Sequence, residues 1–184
     1  SVKTSSALAY VGHNSKGDRV KNDFYATPTY ATEILLKKEK FVGNIWECAC
    51  GDGAISKVLI NKGYEVYSSD LIDRGYGNTP EDFLKSDKVF DNIITNPPFN
   101  LATEFNLKAL QSVKNKVVFL CKLSHLEGIK RADVIFSQKK LKKIYVFSKR
   151  LNFTKDGIKA NGLMSFGWFI YDVNFNGLPE VDWI

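Results

Sequence analysis

Short apolar runs alternate with amphipathic stretches from about residue 28 to the end of the chain. Such runs are typical of buried strands, and the stretches between them carry apolar residues at helical spacing. This alternation predicts an α/β fold in which helices connect the strands of a largely parallel sheet. The predicted strands cover residues 44–50, 65–69, 83–84, 90–95, 116–121, 141–147 and 164–171, and the predicted helices cover residues 27–38, 54–61, 101–113 and 126–138.

The length of the chain, 184 residues, leaves room for one domain with a core of its own. We expect residues 1–22 to form a flexible arm and residues 23–184 to form a single domain. The arm lacks the apolar block of a signal peptide, and no apolar run is long enough to span a bilayer. These features predict a cytoplasmic protein without a membrane partner, and we expect a monomer or a weak dimer.

The cysteines and histidines are few and widely spread. Three cysteines, an odd number, indicate a reducing compartment and not a disulfide framework. Cys48 and Cys50 lie two apart in an apolar run, and the only histidines are His13 and His125. Because a zinc site needs a second closely spaced pair of ligands, we expect packed free thiols and no metal.

The net charge of +6 is concentrated in one stretch of the chain. Residues 1–100 hold 12 Lys and Arg against 13 Asp and Glu, whereas residues 114–159 hold 13 against 3. A polyanion such as nucleic acid would be attracted to that surface in a salt-dependent way. A solvated face that keeps the protein soluble explains the same charge equally well.

The segment from Glu47 to Gly53 joins a predicted strand to a predicted helix through two glycines. At such a turn, backbone N–H groups and the positive end of the helix can approach an anionic ligand, because no side chain intervenes. Asp70 stands nineteen residues after Gly51, where a carboxylate can accept hydrogen bonds from both hydroxyls of a ribose. The turn alone could simply let a helix pack on a sheet, but together with the acid it predicts a nucleoside-containing cofactor.

A second chemical signal, Asn-Pro-Pro-Phe at residues 96–99, ends another predicted strand. An amino group conjugated with a purine ring is a poor nucleophile, because its lone pair is delocalised into the ring. The Asn96 side-chain oxygen and the Pro97 carbonyl could accept its two N–H groups and favour a more reactive, pyramidal nitrogen. Pro98 stiffens the turn, and Phe99 offers a flat face for stacking, which contributes about 1 to 3 kcal/mol per base.

The sequence resembles the class I S-adenosylmethionine-dependent methyltransferases. The glycine turn is similar to their motif I, in which an acid four residues before the first glycine faces the methionine amine, as Glu47 would. Residues 96–99 resemble motif IV of the amino-methyltransferases, Asn/Asp/Ser-Pro-Pro-Tyr/Phe. Residues 23–28, Asp-Phe-Tyr-Ala-Thr-Pro, resemble a segment that precedes motif I in adenine-N6 methyltransferases, particularly the compact phage-type enzymes.

The resemblance extends from about Asp23 to the carboxyl terminus. It implies a Rossmann-like class I methyltransferase fold, with a mostly parallel seven-stranded sheet and helices on both faces, and S-adenosylmethionine as the cofactor. In the family, an acid such as Asp82 holds the adenine amine of the cofactor and an apolar residue such as Phe83 lies against its ring. The implied cofactor-binding residues are Tyr25, Thr27, Pro28, Glu47, Cys50, Gly51, Gly53, Asp70, Leu71, Asp82 and Phe83.

The same resemblance implies a site-specific DNA-methyltransferase that modifies adenine N6, with Asn96, Pro97, Pro98 and Phe99 as the catalytic residues. DNA is the expected partner, and the expected contacts to it come from Lys130, Arg131, Lys149, Arg150, Lys155 and Lys159. We expect no separate recognition domain of the kind that the restriction-associated members carry. We therefore expect low sequence specificity or a very short target.

Two other functions remain open at the level of sequence. The Asn-Pro-Pro-Phe/Tyr motif also serves enzymes that methylate guanine N2 in RNA or the side-chain amide of glutamine in protein. A methyltransferase fold can also act as a catalytically silent binding subunit. The presence of Glu47, Asp70 and Asn96 together argues against the silent subunit, and the basic carboxyl half argues against a protein substrate.

Overall fold

The structure is a computed structural model that describes residues 25–155, 158–160 and 164–184. The predicted arm at residues 1–22 lies outside the described residues, as do Asp23 and Phe24. The described helices are α1 (Thr29–Lys38), α2 (Ala54–Asn61), α3 (Ala102–Leu110) and α4 (Ile129–Val134). The described strands are β1 (Ile45–Glu47), β2 (Val66–Ser68), β3 (Phe90–Thr95), β4 (Val113–Lys122), β5 (Leu141–Val146), β6 (Phe153–Lys155), β7 (Ile158–Ala160), β8 (Phe166–Asp172) and β9 (Glu180–Trp183).

Seven of these strands form one sheet in the order β2-β1-β3-β4-β8-β5-β9. Strand β8 runs antiparallel to both of its neighbours, and the other pairings in the sheet are parallel. The carboxyl ends of β1, β2, β3, β4 and β5 therefore share one edge of the sheet, which we call the carboxyl edge. Strands β6 and β7 form a separate antiparallel hairpin that follows β5 in the chain.

Side chains alternate between the two faces of the sheet, and helices cover both faces. Along β8, Trp168 and Ile170 point to one face, whereas Phe169 and Tyr171 point to the other. The first face packs against α1 and α2 through Ala31, Leu35, Ile55 and Leu59. The second packs against α3 and its neighbours through Phe83, Phe105, Ala109 and Ile135. The predicted seven-stranded, mostly parallel sheet with helices on both faces is confirmed.

One buried hydrogen bond fixes α1 on the sheet. The Trp168 indole N–H donates to the Ala31 carbonyl at 2.8 Å, and both residues are fully buried. Pro28 precedes the first helical residue with an extended backbone, where its missing N–H removes no helical hydrogen bond. The segment that carries Thr27 and Pro28 is thereby held against the carboxyl edge.

Several predicted elements differ from those observed. Residues 83–84 were expected to form a strand, but Phe83–Lys85 is a 3-10 helix, because Asp82 caps it and the Phe83 ring turns into the core. The seventh strand of the sheet is instead β9, which pairs with β5 and is the outermost strand on that side. The helix predicted at residues 101–113 ends at Leu110, and Val113 already belongs to β4. The helix predicted at residues 126–138 shortens to α4, between the 3-10 turns Leu123–Leu126 and Phe136–Gln138.

Candidate active site

The turn between β1 and α2 has the backbone that its glycines permit. Gly51 and Gly53 have φ values of 54° and 86°, in the left-handed region that other residues rarely adopt. The Gly53 N–H donates to the Cys50 carbonyl at 2.8 Å, which closes the turn, and α2 begins at the next residue. The Cys50 thiol is buried, and burial raises its pKa to about 12, so it stays protonated at neutral pH.

A tyrosine occupies the space above Gly53. A Cβ atom built on Gly53 would lie 2.7 Å from the Tyr76 ring, so the absence of a side chain there is what lets the ring approach. Tyr76 belongs to the loop after β2, which hydrogen bonds between the backbones of Ser68, Asp70 and Asn78 hold closed. The Lys57 ammonium lies 5.3 Å from the centroid of the same ring.

Asp70 connects that loop to the glycine turn. Its carboxylate accepts the Gly51 N–H at 2.8 Å and the Ile72 N–H at 3.1 Å. Burial raises the pKa of this carboxyl, while the two N–H donors and the nearby Arg74 oppose the shift. Each oxygen of a carboxylate can accept two hydrogen bonds, so both retain capacity for the hydroxyls of a bound ribose.

Glu47 is the most deeply buried acid of the site, with 1% of its surface exposed. Its carboxyl accepts hydrogen bonds from the Thr95 hydroxyl and from the Ala49 N–H. Burial raises the pKa of Glu47 to about 8 despite these donors, and the charges of Asp70 and Asp52 add to the rise. At neutral pH this acid is therefore mostly protonated, and a cation beside it would favour the ionised form.

Asn96 follows β3 and lines the same cavity as residues of the glycine turn. Its side-chain N–H donates to the Thr27 hydroxyl at 3.3 Å, whereas its Oδ1 atom is buried and has no partner among the described residues. A buried acceptor without a donor costs free energy, on the order of 1 to 3 kcal/mol, unless a ligand satisfies it. The Asn96 oxygen is therefore a position where an incoming N–H group would bind.

The three segments that carry these residues meet at one open cavity. The residues that line it come from the segment before α1, from β1 and the glycine turn, and from the end of β3: Tyr25, Thr27, Glu47, Ala49, Cys50, Asp52, Ala54, Ile55 and Asn96. Of the predicted cofactor-binding residues, Tyr25, Thr27, Glu47 and Cys50 thus share one space with Asn96. The lining does not include Pro28, Gly51, Gly53 or Asp70, although the Asp70 carboxylate is joined to the glycine turn by the Gly51 N–H.

Phe99 follows Asn96 by three residues, and 48% of its surface is exposed. Its ring packs against Phe166, with 6.0 Å between the ring centroids, and Phe166 packs against Phe153 of the β6–β7 hairpin. The hairpin also pairs with the segment before α1, through two backbone hydrogen bonds between Ala26 and Thr154. The exposed ring is therefore supported from below by an aromatic stack.

The cavity lining also lacks three further predicted cofactor-binding residues: Leu71, Asp82 and Phe83. Phe83 is completely buried between Trp46 and Phe105, at centroid distances of 5.0 Å and 4.9 Å. Asp82 uses its side chain to cap the 3-10 turn by accepting the Leu84 N–H at 3.0 Å. Leu71 is half-buried against the core on the same face of the sheet. The structure does not bring these residues together with Glu47 and Asn96.

The predicted nucleic-acid-binding residues occupy different environments. Lys130 on α4 is exposed, as are Lys149 and Arg150 in the connection after β5. Arg131 instead directs its guanidinium to the carbonyl oxygens of Ser124, His125 and Glu127, and so braces the loop before α4. The backbones of Lys155 and Lys159 lie in β6 and β7, which pair with each other, and their side chains lie outside the described residues.

Sequence reasoning missed three residues at this site: Thr95, Tyr76 and Lys122. Thr95 is fully buried at the end of β3, and a polar residue directly before Asn96 was the available signal. Tyr76 reaches Gly53 only because the loop after β2 folds back, which no local pattern reveals. Lys122 ends β4, and its ammonium lies 4.2 Å from the centroid of the Phe99 ring.

Two kinds of feature are absent from the described residues. Among these residues, no cluster of three or more His, Cys, Asp or Glu could hold a metal ion. None of the helices in the same ranges is long and apolar enough to cross a bilayer. The three cysteines are buried free thiols.

Comparison of sequences identifies no relative of this chain, because no protein-family model and no curated protein matches it. Solved structures do resemble it. A Listeria monocytogenes protein assigned as a class I S-adenosylmethionine-dependent methyltransferase is 17% identical, with a TM-score of 0.62 over 99% of this chain and 71% of that one. A Pyrococcus horikoshii protein assigned as an RNA methyltransferase is 14% identical, with a TM-score of 0.64 over 92% and 96%.

A third similar structure is a modification subunit assigned to a type I restriction enzyme from Vibrio vulnificus. It is 12% identical, with a TM-score of 0.59 over 96% of this chain and 49% of that subunit. At such low identities the similarity shows the fold and not the activity. The chain has the Rossmann-like fold of class I methyltransferases, as the sequence predicted.

Proposed function

We propose that this protein is an S-adenosylmethionine-dependent methyltransferase that transfers a methyl group to adenine N6 in DNA. The observation that carries the proposal is that Glu47 and Asn96, whose side-chain oxygen is unpartnered, line one cavity together with residues of the glycine turn. Such a transfer requires an acid that binds the cationic amine of the cofactor and an acceptor that binds the NH2 group to be methylated. Both lie at the carboxyl edge, where ligands bind in open α/β sheets.

The residues of the site fit the cofactor by their chemistry. S-adenosylmethionine supplies, when bound, an electrophilic methyl group on a sulfonium centre. Glu47 would hold the ammonium of its methionine end, and that positive charge would lower the pKa of Glu47 from its raised value. Asp70 would accept the ribose hydroxyls while it keeps Gly51 in position.

The acceptor amine would be held by Asn96 and by the turn that follows it. The Asn96 Oδ1 atom, buried and without a donor, would accept one N–H of the amine, and the Pro97 carbonyl would accept the other. Pro98 adopts φ of −55° and ψ of 131° and begins the 3-10 turn at Phe99, so the backbone of this turn is preorganised. Because such acceptors are already in place, they do not reorganise during the reaction. Most of their effect on the rate comes from this preorganisation.

Adenine in DNA is favoured by the motif, by the exposed ring and by the charge around the site. Phe99 presents a face on which an extruded base could stack, which offsets part of the few kcal/mol that base extrusion costs. Lys130, Lys149 and Arg150 lie in connections that leave the carboxyl ends of β4 and β5, the edge that carries Asn96. Guanine N2 in RNA is the second candidate, because one structurally similar protein is assigned as an RNA methyltransferase.

Product identification tests the proposal directly. The protein would be incubated with labelled S-adenosylmethionine and, separately, with duplex DNA, single-stranded DNA, RNA and a protein extract, and the digested products would be separated. We expect the label in N6-methyladenine from DNA. Label only in guanine or glutamine would contradict the substrate, and cofactor binding without transfer to any substrate would favour a silent binding subunit.

The roles of Asn96 and Asp70 are tested by two alanine variants. We expect Asn96→Ala to reduce the transfer rate by at least about 10²-fold with cofactor affinity nearly unchanged, because Asn96 touches the acceptor. We expect Asp70→Ala to weaken cofactor binding about 10- to 100-fold, because two hydrogen bonds to a carboxylate are lost. Asn100→Ala, at an exposed asparagine in the same turn as Phe99, is the matched control and should keep both properties. Equal loss of cofactor binding in both test variants would refute these roles.

A further inference from the structure

The exposed ring of Phe99 carries a cation in this structure. The Lys122 ammonium lies 4.2 Å from the ring centroid, well within the distance of a cation–π interaction. The two residues come from neighbouring strands, since Lys122 ends β4 and Phe99 follows the end of β3. The ammonium therefore occupies the space where a flat group stacked on Phe99 would lie.

The backbone of Lys122 is fixed, whereas its side chain can move. Lys122 pairs with Phe166 in the register of β4 and β8, and Phe166 is the ring that supports Phe99. Within residues 25–154 and 164–184, the ion pairs of the structure do not involve Lys122. A lysine head group on a flexible four-carbon stem can exchange a ring contact for a phosphate without a change of backbone.

We propose that Lys122 is a substrate-binding residue that covers Phe99 until the target base arrives and then binds a phosphate next to that nucleotide. This inference rests on the proposed function, because it assigns the base to the Phe99 ring. A base that stacks on Phe99 displaces the ammonium, and the phosphates on either side of the same nucleotide lie within reach of a lysine side chain. The contact is electrostatic and independent of sequence, because lysine binds phosphate as a point charge and does not contact the base edges.

Three further variants and one matched control test this role. Lys122→Met removes the charge and keeps the length and the apolar character of the side chain, and Lys122→Arg keeps the charge. Lys142→Met is the control, because the Lys142 ammonium also lies over an aromatic ring, 5.8 Å from the Phe175 centroid. Lys142 stands near the start of β5, at the opposite edge of the sheet from the site. Phe99→Leu removes the ring that Lys122 covers.

The measurements are KM and kcat on the polynucleotide that the wild-type protein methylates, the affinity for S-adenosylmethionine, and the salt dependence of polynucleotide binding. We expect Lys122→Met to raise KM about tenfold and to reduce the slope of log affinity against log salt by about one phosphate contact. Lys122→Arg should restore most of the affinity, and Lys142→Met should resemble the wild type. Cofactor affinity should stay unchanged in all of them.

The outcomes separate this inference from the proposed function. If the wild-type protein methylates RNA and not DNA, the substrate proposed above is wrong, but the same comparison on RNA still decides the role of Lys122. A Lys122→Met variant with the KM and the salt slope of Lys142→Met would overturn the inference. So would a loss confined to kcat, or methylation of protein alone, because neither involves a phosphate. Phe99→Leu should weaken binding while it leaves the salt slope near the wild-type value, and a slope reduced as in Lys122→Met would contradict separate roles.

Discussion

At the scale of single residues, the site contains an acid whose ionised form is disfavoured by burial in the fold. Glu47 lies at the end of β1 with its carboxyl beneath the cavity, and burial raises its pKa to about 8. Two donors, Thr95 and Ala49, orient the group but do not offset the desolvation. A buried group with such a pKa is typical of binding and catalytic sites, where a ligand supplies the missing charge.

The raised pKa of Glu47 predicts a specific dependence of stability on pH. The folded protein keeps the proton up to about pH 8, whereas the unfolded chain releases it near the ordinary value of 4.5. The folded state therefore binds more protons between these values, and the free energy of unfolding falls as the pH rises through this window, by up to a few kcal/mol. Glu47→Gln cannot ionise, so it should lack this fall and be more stable than the wild type at pH 8.

Urea unfolding of both proteins at pH 5 and pH 8 measures this effect, since titrations at all other positions are common to the two. We also expect Glu47→Gln to weaken cofactor binding, because a neutral amide attracts an ammonium less than a carboxylate does. Parallel pH profiles for the two proteins would show that Glu47 has an ordinary pKa in the folded state.

At the scale of elements, the sequence predicted best where local chemistry alone determines the structure. Helix α2 was predicted at residues 54–61 and is observed at Ala54–Asn61, because Gly53 and Gly63 bracket it. The strand β9 was not predicted, because its polar and apolar residues alternate over only four positions and are mostly exposed, so that the pairing with β5 defines it. Phe83 was assigned to a strand because it is apolar, but it lies buried in a 3-10 turn.

The site shows the same division between local and tertiary information. The carboxyl ends of neighbouring parallel strands meet, so the approach of Glu47 to Asn96 could be expected from two motifs at strand ends. The contacts of Tyr76 with Gly53 and of Lys122 with Phe99 depend on how loops and side chains fold across the edge. No periodicity or motif encodes such contacts, so only the structure reveals them.

The glycines that flank α2 provide a matched pair for an element-scale prediction. Both have positive φ, 86° at Gly53 and 96° at Gly63, so alanine strains the backbone at either position by about 1 to 3 kcal/mol. A Cβ on Gly63 meets no atom within 4 Å, whereas one on Gly53 meets the Tyr76 ring at 2.7 Å. We expect Gly53→Ala to destabilise the protein more than Gly63→Ala does.

A double-mutant cycle assigns the difference to Tyr76. In a Tyr76→Ala background the clash is gone, so Gly53→Ala should cost about as much as Gly63→Ala, and the coupling between the two positions should be about 1 kcal/mol or more. The free energy of unfolding, measured with urea for each variant, gives the coupling. Additive effects of Gly53→Ala and Tyr76→Ala would mean that the ring does not rest on the turn.

At the scale of the whole molecule, the fold divides the basic stretch of the sequence between two edges. Lys139, Lys140 and Lys142 lie before or at the start of β5, and so belong to the edge opposite the site. Lys149 and Arg150 follow the end of β5 and are exposed at the carboxyl edge. Lys143 and Lys116 form ion pairs with Glu180 and Glu39, which neutralise part of the remaining charge. The net charge of the chain therefore overestimates the positive charge that is available to a polyanion near the active site.

This division predicts that equal changes of charge will have unequal effects on polynucleotide binding. We expect the double variant Lys149→Gln/Arg150→Gln to weaken binding and to reduce the slope of log affinity against log salt by up to about 2, because each phosphate contact contributes close to one. The matched variant Lys139→Gln/Lys142→Gln removes the same charge at the opposite edge and should keep a nearly unchanged slope. Titrations of a labelled oligonucleotide at several salt concentrations measure both. An equal reduction of the salt slope in the two variants would contradict this prediction. It would show that the long-range electric field of the molecule attracts the polynucleotide, and that contacts at the carboxyl edge do not bind it.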